Sequence, residues 1–524
     1  MVDKMAARDD LAILKAARTG VADAQLAIGT RYYLGNGSLP QSTETAFYWL
    51  ERAARQGLTE AWTMIGRAVP YELVRSTMSR PYEAVEWYER AFDSGVLEAG
   101  IVFSRLVLEN SSHFGHKAKD KAVNVLKQLA ERNNHEAQWL LAKHLAQLED
   151  DQHHGAGGQI HLAPPLKEAK EHWTRQAALA GVTEAQYSLL EKYWKAGDYV
   201  GFSENAAPMI KCLLKDHEAQ LRYLRDPSPQ CALLSLSENE VTLLLRQSQL
   251  LLERKVSDLS YARRLLELAA LSNNHEAQYR LGMLHARLDH GCQRIFPAHG
   301  QANYLAAVPW LNAAGKGDVA EAWHGLSMIY AKAEYFQRNL SLSRQYLNRS
   351  AEMGFAQAQF DYGQYLWRTR RDGPMNDIHA LSWWKKAADQ GHHEALIAAS
   401  RFSAKNSPET WAVEIAKSLT TKLRKSHPFL SARIDLAAAF KLSKSEAVLV
   451  DVRHADWGHC IEVDISKLHA RSKRRLILIE NAEQRVTLDL ISRLFADVNS
   501  SFDGPEGNYR QRQYRLRNII ADLA

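Results

Sequence analysis

Along most of this 524-residue chain, large and small apolar positions alternate at one fixed interval. A bulky residue is followed twelve positions later by an alanine at Trp49–Ala61, Trp87–Ala99, Val125–Ala137, Trp173–Ala185, Leu265–Ala277, Trp310–Ala322, Tyr346–Ala358 and Trp383–Ala395. The clearest unit runs from Gly20 to Gly57. Ala24, Ile28 and Tyr32 share a face at four-residue spacing with Gly29 beside them, which predicts a helix from Asp23 to Leu34. Gly35-Asn36-Gly37 stops it, since glycine and asparagine tolerate the left-handed conformation at a helix end. A second helix begins near Gln41-Ser42-Thr43, carries Ala46, Trp49, Ala53 and Ala54, and ends at Gly57. Small residues at Ala24 and Gly29 let a neighbouring helix approach closely. The second-helix pattern recurs as Ala84/Trp87/Ala91, Ala307/Trp310/Ala314 and Ala380/Trp383/Ala387, with variants at Ala262/Leu265/Ala269 and Ser343/Tyr346/Ser350.

Joints between units read GVADAQ, GLTEAW, NNHEAQ, GVTEAQ or GFAQAQ. A glycine or asparagine leaves one helix. An acid suits the positive end of the next helix, and the alanine receives the knob. Steps between entry alanines are regular from Ala24 through Ala61, Ala99 and Ala137, and again from Ala322 through Ala358 to Ala395. They widen between Ala137 and Ala322, with polar Gly/Pro-bearing inserts at Asp150–Pro165, Asp226–Glu240 and Asp289–Asn303. His217-Glu218-Ala219-Gln220 matches the joint, but its knob slot is Ala207. A fixed offset of this kind predicts stacked helical hairpins.

The pattern resembles the Sel-one-like repeat (SLR), a relative of the tetratricopeptide repeat, over roughly residues 10 to 405. Ile28-Gly29, Tyr32 and Gly35-Asn36-Gly37 match the first half of that repeat, and Ala380, Trp383, Lys386-Ala387-Ala388 and Gly391 match the second. The middle units depart from it, lacking the Gly-x-Gly turn. The resemblance implies a right-handed α/α superhelix used for protein–protein contacts. The expected fold is mainly α, a solenoid of about nine to ten hairpins followed by a small α+β domain. Its segments are an N-terminal capping helix in 1–22, the solenoid in 23–405, a helical linker in 406–426 and the α+β domain in 427–524.

After Lys405 the joint motif stops. Helical stretches Glu409–Leu423 and Ser431–Phe440 precede three β-like runs, Ala447–Val452, His459–Ile465 and Arg475–Glu480. Ala482–Ala496 and Asn508–Leu523 read as closing helices.

Composition fits a folded chain: 46% hydrophobic, 24% charged, and a mild net charge of +6 that permits an acidic partner without demanding nucleic acid. Cys212, Cys231, Cys292 and Cys460 are far apart with no CxxC pair, and the amino-terminal segment has no signal-like apolar core. With no stretch long enough for a membrane span, these features predict a cytoplasmic protein. Oligomeric state is left open by the residues.

Candidate chemistry is sparse. Trp49, Trp87, Trp173, Trp310 and Trp383 hold knob slots and read as core. Trp62 and Trp323 replace the glutamine that usually follows the entry alanine, which makes them candidate partner contacts. His153, His154, His161 and His172 surround a flexible insert, and His392-His393 sits at a joint; neither group offers convergent metal ligands, so no metal and no cofactor are expected. Asp451, His454, Asp456, His459, Cys460 and Asp464 are dense enough to raise a thiol enzyme centred on Cys460. Strand alternation puts Cys460, Glu462 and Asp464 together on a polar face and leaves His454 without a route to the sulfur.

Basic residues form two clusters. Lys467, Arg471, Lys473, Arg474 and Arg475 make one; Arg510, Arg512, Arg515 and Arg517, with Tyr509 and Tyr514, make the other. Residues 427–524 nevertheless hold 15 Lys+Arg against 13 Asp+Glu. Ile434–Val448 echoes a helix-turn-helix with Lys441 at the turn, although its second helix is short. No phosphate loop, HExxH, GxSxG or kinase motif appears, so the expectation is a non-enzyme. The leading expectation is an adaptor that holds a protein or peptide on the solenoid surface, with contacts at Trp62, Trp323, Arg474, Arg475, Arg510, Arg512, Arg515 and Arg517. The alternatives are a nucleic-acid-associated regulator using the basic clusters, and the Cys460 enzyme.

Overall fold

A computed structural model describes residues 2–36, 39–155, 164–218, 234–253, 259–289, 301–407, 409–465, 474–498 and 503–523. The chain is mainly α-helical with one small two-stranded sheet, and divides into two compact units, Met1–Lys211 and Cys212–Ala524. In the first, helix Val2–Arg18 packs on Ala22–Leu34, and hairpins continue through Thr43–Arg55, Thr59–Ala68, Val85–Asp93, Leu97–Glu109 and His116–Glu131. In the second, Glu238–Glu253 through Asn376–Asp389 repeat the arrangement. The expected insert at Asp150–Pro165 is partly helical, because His135–Gly155 runs through its start and the next helix begins at Pro164. The doubtful joint at Ala219-Gln220 and most of the inserts at 226–240 and 289–303 lie outside the described residues.

The joints work for a physical reason. Helix Thr43–Arg55 ends in a Schellman turn: Gly57 N–H donates to the Ala54 carbonyl at 2.9 Å and Leu58 N–H to Ala53 at 3.3 Å. Gly57 has φ +90°, which glycine adopts without strain. Gly95, Asn133, Gly181, Gly354 and Gly391 repeat both bonds, all at positive φ. In the Asn-Asn joints the first asparagine takes the left-handed turn and the second caps the next helix, Asn134 Oδ1 accepting from Ala137 N–H at 2.9 Å. Each of the eight paired alanines is fully buried.

Close approach is concentrated at the helix glycines. A Cβ on Gly29, Gly282 or Gly363 would lie within 2.9 Å of Leu50, Leu311 or Trp384, the residue after each knob. Knob and alanine share one apolar cluster at Trp87–Ala99 and Val125–Ala137 but not in the first unit. Trp49 packs with Ala17, Ile28 and Tyr32, whereas Ala61 belongs to the following apolar cluster. Trp383, expected in the core, is half-buried; Trp384 takes the buried place instead.

Beyond the repeats, helices Trp411–Ser418, Thr421–Ser426, Pro428–Phe440 and Lys444–Leu449 precede strands β1 (Cys460–Val463) and β2 (Arg475–Leu478), then helices Ala482–Phe495 and Tyr509–Leu523. The β-like run Ala447–Val452 is not a strand. Ser443 and Glu446 form a capping box that starts a helix through its first half, and Ala447, Val448 and Leu449 are buried on it. Lys441 does hold the turn, at φ +47°, but the short second helix is too buried to read a groove. β1 and β2 pair antiparallel, Cys460 opposite Leu478 and Val463 opposite Arg475. One face of this ribbon packs on the last repeat: Cys460, Leu476 and Leu478 join Phe360, Ile378, Leu381 and Trp384 in one apolar cluster. Leu478 N–H donates to the Phe402 carbonyl at 2.8 Å, and Arg474 ion-pairs with both Asp377 and Glu462.

Candidate functional site

The glutamine after each entry alanine has a defined task. Gln25, Gln138, Gln186, Gln278 and Gln359 each donate Nε2–H to the carbonyl eight residues earlier, at 3.1–3.4 Å. The acceptors at Ala17, Ala130, Ala178, Ala270 and Ala351 also receive the Schellman N–H, so both lone pairs of a last-turn carbonyl are filled. Trp62 and Trp323 are not departures from this device. Their indole N–H groups donate to Ala54 at 3.3 Å and Gly315 at 2.9 Å, across the same eight-residue step. Trp323 is 3% exposed, stacked on Tyr346 at 5.3 Å and covered by Arg349, so the expected partner contact there is corrected to packing. Trp62 is half-buried, with Arg90 4.2 Å above its ring.

A different set of aromatics stays open. Tyr330, Tyr346, Tyr362, Tyr365 and Trp383 are half-buried on four successive helices, Ala320–Ala331, Leu340–Glu352, Ala356–Arg368 and Asn376–Asp389. Contacts join them into two groups, Tyr330 with Tyr346, and Tyr362, Tyr365 and Trp383 with Arg344 and Lys386. Tyr330 meets Tyr346 at 5.6 Å, Arg344 lies 5.1 Å over Tyr365, Tyr362 meets Tyr365 at 6.1 Å and Trp383 at 5.8 Å, and Lys386 sits 4.2 Å over Trp383. Burial pushes the Tyr346 and Tyr362 hydroxyls up, so both remain neutral donors at physiological pH. The knob rule concealed the second group by assigning Trp383 to the core. A cation three residues after the ring is no guide, since Arg52 and Arg90 follow the buried Trp49 and Trp87 at the same spacing as Lys386 follows Trp383.

The thiol constellation does not assemble. Cys460 is fully buried against the last repeat, not on a polar face, and burial pushes its thiol up to about 12. His454 is exposed and bound to Asp451 at 2.9 Å. The imidazole near the sulfur is His459, 3.5 Å away, and its ring nitrogens face the carbonyls of Trp457 and Ile378, each at 3.0 Å. A protonated thiol without an activating base is no nucleophile.

The basic clusters disperse as well. Arg474 is held by Asp377 and Glu462, and Arg475 makes a two-pronged pair with Glu446 at 2.7 Å on both arms. Lys467, Arg471 and Lys473 lie outside the described residues. On helix Tyr509–Leu523, Arg510 and Arg517 point outward with Tyr514 between them. Arg512 is buried against Glu506 at 3.2 Å, and Arg515 donates to the Glu506 carbonyl at 2.9 Å. Among the described residues no three His, Cys, Asp or Glu side chains converge to hold a metal, and no helix is long and apolar enough to cross a membrane. The side chains of His153, His154 and His161 lie outside the described set.

Comparison with known proteins returns the repeat. Residues 22–58, 79–96, 252–274, 275–294, 320–355 and 356–392 match the Sel1 repeat model. The chain is similar to c5321, a protective antigen present in uropathogenic Escherichia coli strains displaying an SLR fold, at 18% identity, covering 97% of both chains with a TM-score of 0.49. It is also similar to a Sel1 repeat protein from Oxalobacter formigenes, at 18% identity over 76% of this chain and 82% of that one, with a TM-score of 0.22. No curated protein matches. The six matched segments fall on helices described above, so these stretches of the chain are similar to the Sel1 repeat.

Proposed function

We propose that this protein is an interaction scaffold whose aromatic and cationic strip, from Arg344 to Lys386, holds a protein or peptide partner, with the C-terminal domain as a second contact. Sel1 repeats support a protein-binding role in general. The observation that carries the specific reading is the continuity of half-open rings and cations across three helices of the second unit. Tyrosine, tryptophan and arginine dominate binding energy where they bury, because they bring large apolar area at low entropic cost. Arg344 and Lys386 are poised over rings, and among the described residues neither has an ion pair with a carboxylate to surrender on binding. We assign the chain no catalytic step and place it in a reducing compartment, which suits the exposed thiol of Cys212.

The test replaces Tyr365 by alanine and Arg344 by glutamate in the full chain and compares proteins retained from a lysate of the native cell. Retention of the specific partners drops at least about tenfold, a loss of about 1.4 kcal/mol or more, while the melting temperature holds. Equal retention by the variant and the parent overturns the strip as the binding surface. Among the described residues, the ion pairs of Arg474, Arg475 and Arg512 favour the protein-binding reading over the nucleic-acid alternative.

A further inference from the structure

Among the described residues, one cleft of the C-terminal region holds more arginines than carboxylates. This cleft of about 280 Å³ lies between helix Pro428–Phe440 and the start of helix Tyr509–Leu523, lined by His427, Phe429, Arg433, Glu506, Arg512 and Arg515 among others. Arg433, Glu506 and Arg512 are each more than nine-tenths buried. Arg433 pairs with Glu506 through Nε and donates from Nη1 to the carbonyls of Ala447 at 2.8 Å and Val450 at 3.0 Å. Glu506 also takes Arg512 Nη1. Arg512 Nε is buried without a hydrogen-bond partner, and Arg515 reaches only the backbone carbonyl of Glu506. Among the described residues three arginines thus line this cleft against the one carboxylate of Glu506, and with Asp451 acting on Arg433 from outside it the surplus is one to two positive charges.

A buried guanidinium N–H with no acceptor is costly, and guanidinium remains charged at any physiological pH, so neutralisation must come from an anion rather than from proton loss. A carboxylate supplies one negative charge. A phosphate group supplies about −1.5 to −2 and three strong acceptor oxygens, which fits both the surplus and the unfilled donor. Phe429 provides an apolar wall against which a small organic substituent can lie. We propose that this cleft binds a phosphate dianion, as free phosphate or as the phosphomonoester of a small molecule.

Phosphorus-NMR line broadening on the full-length protein measures this, with inorganic phosphate and glycerol phosphate as separate probes and acetate as competitor. Saturable binding is expected for phosphate, with acetate about tenfold weaker or worse. Arg515→Gln weakens phosphate about tenfold, whereas Arg510→Gln, on the outward face of the same helix, stays within about twofold. Tighter binding of glycerol phosphate identifies the monoester as the preferred source, and equal binding identifies free phosphate. If Arg515→Gln unfolds by circular dichroism, Arg515→Lys keeps the charge without the fork and weakens binding about threefold. No saturable broadening at millimolar phosphate, equal loss in the Arg510 and Arg515 variants, or acetate competing as well as phosphate would each overturn the proposal.

Discussion

Gln359→Met isolates what the recurring glutamine contributes. The parent side chain is buried, donates to the Ala351 carbonyl at 3.2 Å and accepts from Gln390 Nε2 at 2.9 Å. Methionine is nearly isosteric and flexible, so the space stays filled while both hydrogen bonds go. Ala351 keeps its bond from Gly354 N–H at 3.1 Å, and exposed Gln390 returns to water. The cost reduces to one buried hydrogen bond, about 1 kcal/mol. Gln359→Ala adds lost packing and reaches about 2–3 kcal/mol. A repeat array need not unfold in one step, so a melting temperature understates a local loss. Hydrogen exchange at the amides of Gly354 to Phe360 reads it directly, about fivefold faster for methionine and thirtyfold or more for alanine. Exchange in Gln359→Met within about twofold of the parent would show that the bond stabilises nothing.

Gly363→Ala places a Cβ 2.7 Å from the Trp384 ring and 3.2 Å from the Ala380 carbonyl, and denaturant unfolding should show about 1–3 kcal/mol of overpacking. Gly57→Ala meets nothing within 4 Å but sits at φ +90°, so its loss of about 1–2 kcal/mol comes from backbone strain alone, with the packing of its neighbours unchanged by NMR. Burial, helped by Arg263 and Arg287, lowers His285 from 6.5 to about 4. The unfolded chain takes up that proton first, so stability is full above about 6.5 and falls as pH drops toward 4; His285→Gln should flatten that slope in urea midpoints. Under native alkylation Cys212 should label while Cys460 does not, read by mass spectrometry; prompt labelling of Cys460 would contradict its burial and its raised thiol.

The repeats were legible because each joint solves one backbone problem with the same residues: a left-handed glycine or asparagine, a small alanine, and a donor eight residues past an orphan carbonyl. Trp62 and Trp323 misled only because tryptophan and glutamine share no side-chain shape. What they share is an N–H at the right reach. At Ala447–Val452 the β-branched composition outweighed a shorter signal, the Ser443-x-x-Glu446 capping box, and burial of a helix face accounts for the valines that suggested a strand.

Cys460 shows where a single chain pattern cannot reach. Alternation along β1 correctly paired Cys460 with Glu462, but the environment of that face is set by Ile378, Leu381 and Trp384, some eighty residues earlier. Those side chains belong to the last repeat, which in a longer array would be covered by another hairpin. Here β1 and β2 cover them, fastened by Arg474 to Asp377 and by Leu478 to Phe402. The α+β region after the repeats is therefore part of the stack's stability. A chain cut near Lys425 would remove the cover that β1 gives helix Asn376–Asp389 around Ile378, and any partner lost from such a chain would report exposure of that apolar end as readily as removal of a binding surface. Side-chain replacements on the strip and in the arginine cleft leave that cover in place, so they separate binding from stability where truncation cannot.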